Sequence, residues 1–171
     1  MKKAIVVIIS IYLSLVFFMP KKELIYTGLN TLSKQMINFE IEEANDFWFF
    51  ADFKNTTIIY DKMRVANIED MKLLPYLFYN KLILTTLEPK GSFRNMLDVV
   101  VLNATLTYSV INPFKADIEA KTTIGEINGE FDIKSFKLRL VLTPNQKFKT
   151  FKYKNYFRKT KGGYIYESII R

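Results

Sequence analysis

From Val99 onward the chain alternates between apolar and polar positions. Val100, Leu102, Ala104, Leu106, Tyr108 and Val110 fall on one side of an extended backbone and Asn103, Thr105, Thr107 and Ser109 on the other, the period of two expected of a half-buried strand. Asn112-Pro113 turns the chain, after which Phe114, Ala116, Ile118 and Ala120 alternate with Lys115, Asp117, Glu119 and Lys121. A second turn at Thr122-Thr123 leads into Ile127, Gly129, Phe131 and Ile133, and Phe136, Leu138, Leu140 and Leu142 predict a fourth strand. A two-residue turn at Lys134-Ser135 sets the register of this last hairpin. It pairs Phe131 with Leu138 and Gly129 with Leu140 on the apolar face, and Asp132 with Lys137 and Glu130 with Arg139 on the polar one. Each charged pair contributes about 0.2–1 kcal/mol, and a slip of one residue would turn every apolar side chain into water.

The preceding stretch is less regular. Phe39 and Ile41 alternate with Glu40 and Glu42, and Phe47-Trp48-Phe49-Phe50 and Thr56 to Tyr60 are β-rich runs separated by Lys54-Asn55. Asp61-Lys62 reads as a hairpin turn, Met63 to Leu73 as a weaker strand and Lys81 to Leu87 as another. Pro75 makes the run Tyr76-Leu77-Phe78-Tyr79 an edge or a loop, because proline donates no ladder hydrogen bond. Ser92 is placed to cap one short helical turn ending near Leu97, and Tyr164-Ile165-Tyr166 after Gly162-Gly163 reads as a final strand. Gly125 and Gly129, inside a strand pattern, point to a bulge or a close backbone approach.

The opening segment has a different character. Ala4 to Met19 is interrupted only by Ser10, Tyr12 and Ser14 and lies between Lys2-Lys3 and Pro20-Lys21-Lys22. As a helix it spans about 24 Å, short of the roughly 30 Å hydrocarbon core unless lysines snorkel or the helix continues past Pro20. Val16-Phe17-Phe18-Met19-Pro20 lacks the small residues of a cleavage site, so residues 1–22 read as an uncleaved, single-pass membrane anchor with its amino terminus in the cytoplasm. Leu24, Ile25, Gly28, Leu29, Leu32, Met36 and Ile37 recur at helical spacing, predicting an amphipathic juxtamembrane helix over residues 23–37. Residues 38–171 then form the β-rich domain.

Composition narrows the chemistry. The 171 residues contain neither Cys nor His, which removes thiolate and imidazole catalysis and almost every zinc, copper, haem or iron–sulfur site. Glu40, Glu42, Glu43 and Asp46 are the densest acidic group, but they lack the glycine turn and alternating acids of a calcium loop. Ser92 near Lys90 is ordinary turn composition with no oxyanion-hole motif beside it. The expectation is therefore no enzyme, cofactor or metal. The net charge of +8 is concentrated in residues 145–161, where Lys147, Lys149, Lys152, Lys154, Arg158, Lys159 and Lys161 occur without an acid. Interleaved Phe148, Phe151, Tyr153, Tyr156 and Phe157 suggest a short carboxy-terminal helix touching anionic lipid; nucleic acid is the weaker alternative.

An anchor followed by Pro-Lys-Lys-Glu-Leu (20–24), a β-domain and Lys-Thr-Thr-Ile-Gly-Glu-Ile-Asn-Gly-Glu-Phe (121–131) resembles the type II secretion system protein N family. The resemblance implies a bitopic inner-membrane protein with its β-rich domain in the periplasm and no catalytic residues. The fold expected is an open, curved antiparallel meander or half-barrel with one apolar face that something must cover. Two functions follow from that face. The first is a membrane-anchored accessory of a secretion or envelope-assembly system, docking onto partner proteins. The second is a lipid-binding or lipid-transport module, with acyl chains held on Leu102, Leu106, Ile118, Ile127, Phe131, Leu138 and Leu140.

Overall fold

A computed structural model describes residues 2–33 and 37–169. Helix α1 (Lys2–Phe18) is followed across Met19-Pro20 by α2 (Lys21–Ser33), and a single-turn helix α3 (Ser92–Met96) comes midway. The other elements are strands β1 (Ile37–Asp46), β2 (Ala51–Tyr60), β3 (Met63–Tyr76), β4 (Tyr79–Pro89), β5 (Val101–Ser109), β6 (Lys115–Thr122), β7 (Gly125–Asp132), β8 (Lys137–Pro144), β9 (Arg158–Thr160) and β10 (Gly163–Ile169). They make one antiparallel sheet in the order β1-β2-β3-β4-β5-β6-β7-β8-β10-β9, with β1 and β9 as open edges. Short turns join consecutive strands from β1 to β4 and from β5 to β8, as expected of a meander, whereas longer segments, 90–100 and 145–157, lead into β5 and β9, and β8 pairs with β10.

The β7–β8 hairpin has the register its polar pattern predicts: Phe131 opposite Leu138, Gly129 opposite Leu140, Asp132 opposite Lys137 and Glu130 opposite Arg139. The charges nevertheless choose other neighbours. Glu130 accepts from Lys115 of β6 at 2.9 Å, and Arg139 and Lys137 both reach Glu167 of β10 at 3.6 Å. Gly129 has its close approach, since a Cβ there would lie 2.5 Å from the Arg139 carbonyl oxygen. Asp61 and Lys62 both adopt positive φ (45° and 65°) at the tight β2–β3 turn.

Several local expectations give way to the structure. Phe47 to Phe50 is a loop rather than a strand, closed by the Phe47 N–H donating to the Phe50 carbonyl at 2.8 Å, with the two rings stacked 4.6 Å apart. Lys54-Asn55 lies inside β2, where Asn55 takes φ 51° without ending the strand. Pro75 belongs to β3, an interior strand. It is tolerated because β2 stops opposite Leu73, leaving Pro75 paired only with Asn80 of β4. Gly91, not Ser92, precedes α3 as its cap.

Residues 145–161 hold no α-helix. Two 3₁₀ turns, Gln146–Thr150 and Lys154–Tyr156, stand in its place. Four lysines with no acid among them weaken an α-helix by like-charge repulsion, while a 3₁₀ turn eclipses residues three apart and so brings Phe148 and Phe151 within 6.0 Å of each other. The Asn145 side chain caps the first turn by accepting from the Lys147 N–H at 2.9 Å.

The register places the apolar positions of the sheet on one continuous face, but only part of that face is packed. Near the β1–β2 loop, Ala51, Phe53, Ile68 and Met71 are buried beneath α2, with Ile25 against them and the Tyr26 ring edge-on to Phe53 at 6.2 Å. Across the sheet, Ile124, Leu142 and Phe148 form a second cluster. Its lid is the 3₁₀ segment, whose Phe148 ring lies 4.5 Å from Tyr164 and 5.8 Å from Phe157.

Helix α1 meets the sheet at hairpin tips. Tyr12 stacks on Phe78 at 5.9 Å and donates to the Tyr76 carbonyl, and Phe17 lies 4.8 Å from Trp48. Its Ile5, Val6, Ile8, Ile9, Ile11 and Leu13 are exposed. The corner between α1 and α2 is fixed by Lys21, only 1% exposed, whose Nζ donates to the Met19 carbonyl at 3.1 Å and faces Asp46 at 3.8 Å. Among the described residues no single helix is long and apolar enough to cross a membrane. Lys3–Phe18 and Lys21–Thr27, bent by 61°, satisfy length and composition only as a pair.

Candidate functional site: an open apolar cleft with a basic lip

Between the two packed clusters the apolar face opens into a cleft of about 580 Å³, within the size range of small-molecule sites. One wall is Ile37, Ile58 and Tyr60 from the first two strands; the floor is Val65, Leu87 and Pro89 from β3 and β4. Phe93 and Leu97 of the α3 segment close one end, and Val101, Ile127, Phe151 and Phe157 make the far wall. No charged side chain lines it. The cleft exists because the sheet curves: β1 and the 3₁₀ segment are brought to opposite sides of the same hollow, although some ninety residues of chain separate Ile58 from Phe151. The Lys90 N–H donating to the Val65 carbonyl at 2.9 Å holds α3 in place, and the turn into it uses Gly91 at φ 56°, a conformation that disfavours side chains.

Of the seven residues expected to form a groove, Ile127 lines this cleft. Leu106, Ile118, Phe131, Leu138 and Leu140 share its face farther along the strands: Leu106 pairs with Ile118, Ile118 with Gly129, and Gly129 with Leu140. None of these five is fully buried, and Leu106 is 38% exposed, so the trough continues beyond the cleft. Leu102 falls outside the pattern, because the register shifts between Val101 and Asn103 and takes it out of the alternation. The sequence did not single out Ile58, Val65, Leu87 or Phe93, and it assigned Phe151 to the basic segment and not to a groove. Each is an ordinary apolar residue, and only curvature brings them together.

The basic residues lie at the end of the sheet away from α1. Lys147 and Lys152 line a hollow of about 410 Å³ together with Asn95, Asp98 and Thr150, and this hollow shares Ile124 and Phe151 with the apolar cleft. Lys149, Lys154, Lys159 and Lys161 are exposed nearby, and Arg158 faces Glu167 at 3.9 Å. Apolar cleft and cationic lip are therefore adjacent.

The acidic group of β1 is spread among partners: Glu40 faces Arg64 at 3.5 Å, Glu42 accepts from Asn55 at 2.8 Å and Asp46 faces Lys21. Among the described residues no three Asp or Glu side chains converge on a possible metal site. Lys90 faces Glu88 at 3.5 Å. On the outer face, a polar hollow of about 480 Å³ is lined by Asn103, Glu119, Lys121, Glu126 and Asn128, and its Lys121 and Glu126 pair with each other at 3.6 Å. The perturbed groups belong to the β6–β8 surface. Glu130 is held below its ordinary pKa by the Lys115 hydrogen bond, which raises Lys115 in turn, and Asp132 is held low by the Ser135 N–H.

Comparison of the chain with protein-family models, with curated proteins and with solved structures gives no match.

Proposed function

We propose that this is a non-enzymatic, membrane-tethered module that binds the acyl chain of an amphiphile in the apolar cleft. The observation that carries the reading is a hollow of about 580 Å³ without a charged lining residue, left open to solvent on a small domain. Such a surface costs free energy to hydrate and recovers it when an apolar ligand enters. Lys147 and Lys152 at the lip suit an anionic head. In this reading α1 is the anchor, and the domain stands on the periplasmic side of a bacterial inner membrane, as the resemblance to the type II secretion system protein N family implies.

Docking onto secretion or envelope-assembly proteins is the second reading, favoured by one feature. Strand β9 covers only Gly163–Ile165 of β10, so the outer edge of Tyr166–Ile169 is free of any strand among the described residues and could accept one by strand addition.

The test uses the full-length protein in lipid nanodiscs with a photoactivatable diazirine fatty acid, its crosslinks mapped by peptide mass spectrometry. Acyl-chain binding predicts crosslinks at Val65, Leu87 and Phe151 that Phe93→Asp abolishes, while labelling of α1 persists in both proteins. Crosslinks confined to α1, or cleft crosslinks that survive both Phe93→Asp and Leu97→Asp, would overturn it.

A further inference from the structure

The two ends of the sheet carry different chemistry. At the end that α1 touches, the connections are Phe47-Trp48-Phe49-Phe50, Leu77-Phe78, Val110-Ile111-Asn112-Pro113-Phe114 and Ile133-Lys134-Ser135-Phe136. None contains an acid, and Lys134 is their sole charge. Trp48, Phe78, Ile111, Phe114 and Phe136 are each more than half exposed, Ile111 by 91%. At the opposite end, the connections are rich in lysine and arginine and hold Asp61 and Asp98 as well.

Exposed apolar residues scattered singly need no explanation, but a contiguous row along one end does. From the β1–β2 loop to the β7–β8 turn the row crosses six strand spacings, roughly 29 Å at about 4.8 Å each. Helix α1 reaches the first two of these connections, through Phe17 on Trp48 and Tyr12 on Phe78; among the described residues no such ring contact from α1 covers the exposed tips at Ile111, Phe114 and Phe136. The same helix is apolar on all sides and exposed over most of its length. Whatever solvates α1 therefore adjoins the row. Aromatic tips and a lone lysine able to snorkel match the interfacial layer of a bilayer, and the carboxylates that flank the tips are engaged, Asp132 by the Ser135 N–H and Asp46 by Lys21.

We propose that this end of the sheet is seated in the headgroup layer of the bilayer that takes α1, so that the strands stand off the membrane and the basic lip points away from it. The proposal shares with the proposed function only the membrane. It does not depend on the cleft being occupied.

Trp48 is the only tryptophan, which makes depth measurable by fluorescence. The full-length protein is reconstituted into phosphatidylcholine vesicles with and without brominated acyl chains. In a Trp48→Phe background, single tryptophans are placed by Ile111→Trp and Phe136→Trp at the remote tips and by Met63→Trp, beside the β2–β3 turn, at the opposite end. Seating predicts that brominated lipid quenches Ile111→Trp and Phe136→Trp as strongly as it quenches native Trp48, and leaves Met63→Trp unquenched. Quenching of Trp48 alone would leave α1 in the membrane and overturn the seating. Equal quenching of Met63→Trp would mean that the sheet lies flat, and would overturn it too. Protection of the remote tips from both brominated lipid and aqueous acrylamide would assign them to a protein contact, again against the proposal.

Discussion

The two halves of the apolar face have the same alternation and opposite fates. Around Phe53, helix α2 lies on the strands and Ala51, Phe53, Ile68 and Met71 are fully enclosed. Around Leu106 and the cleft, comparable side chains from β4 to β8 remain half open. The difference is not in the strands. It comes from which helix reaches them: α2 is held over β1–β3 by the Lys21 corner, whereas α3 has five residues and the 3₁₀ segment covers only the Ile124–Leu142 cluster. A sheet thus specifies an apolar face, and the elements around it decide whether that face becomes core or binding surface.

The comparison can be broken from the covered side first. Phe53→Ala should cost about 3–5 kcal/mol, the usual range for a buried aromatic leaving a cavity, measured by denaturant unfolding monitored by circular dichroism. Asp46→Asn removes the carboxylate facing buried Lys21 and should cost about 1–3 kcal/mol through the poorly compensated ammonium, with loss of protection from proteolysis at the α1–α2 corner. Leu106→Ala, on the open side, should cost about 1 kcal/mol or less because much of its area is already in water. A Leu106→Ala effect as large as that of Phe53→Ala would mean the trough is closed in solution.

The smallest effect expected is a titration. Glu130 and Asp132 are held low in the folded protein, so their contribution is complete above the ordinary carboxylate range and fades as pH falls through their depressed values, below about pH 4. Lys115 is raised, so its contribution is present below its ordinary value and fades above about pH 10. Lys115→Met should remove the alkaline limb of a stability profile and the Glu130 part of the acid limb, leaving the Asp132 part that the Ser135 N–H supplies, with Phe53 packing unchanged by near-ultraviolet circular dichroism.

Where each side chain has a strict two-residue period and a charged partner opposite, the fold was readable residue by residue, as in β7–β8. Where the period is broken, it was not. Phe47-Trp48-Phe49-Phe50 has high strand propensity, yet it forms the tip of a hairpin and packs on α1. Residues 148, 151 and 155 have spacing compatible with an α-helix, but an uninterrupted basic run favoured two tighter turns. Leu102 fits the alternation by position and leaves it through a register shift that no local signal announces. The cleft is the extreme case: it is assembled by curvature from segments far apart in the chain, and curvature is a property of the whole sheet. The juxtamembrane helix expected over residues 23–37 is observed as Lys21–Ser33, packed on the sheet through Ile25 and Tyr26; Ile37 instead opens β1, where it alternates with Phe39 and Ile41, and Met36 lies outside the described residues.

The open trough also has a calorimetric consequence. Water ordered over Val65, Leu87 and Phe93 is released when a chain fills the cleft, so binding should carry a negative heat-capacity change, with a binding enthalpy that grows more favourable on warming. The ligand would then act as the missing final layer of the core, and the melting temperature of the domain would report the lipid supply of the membrane around it.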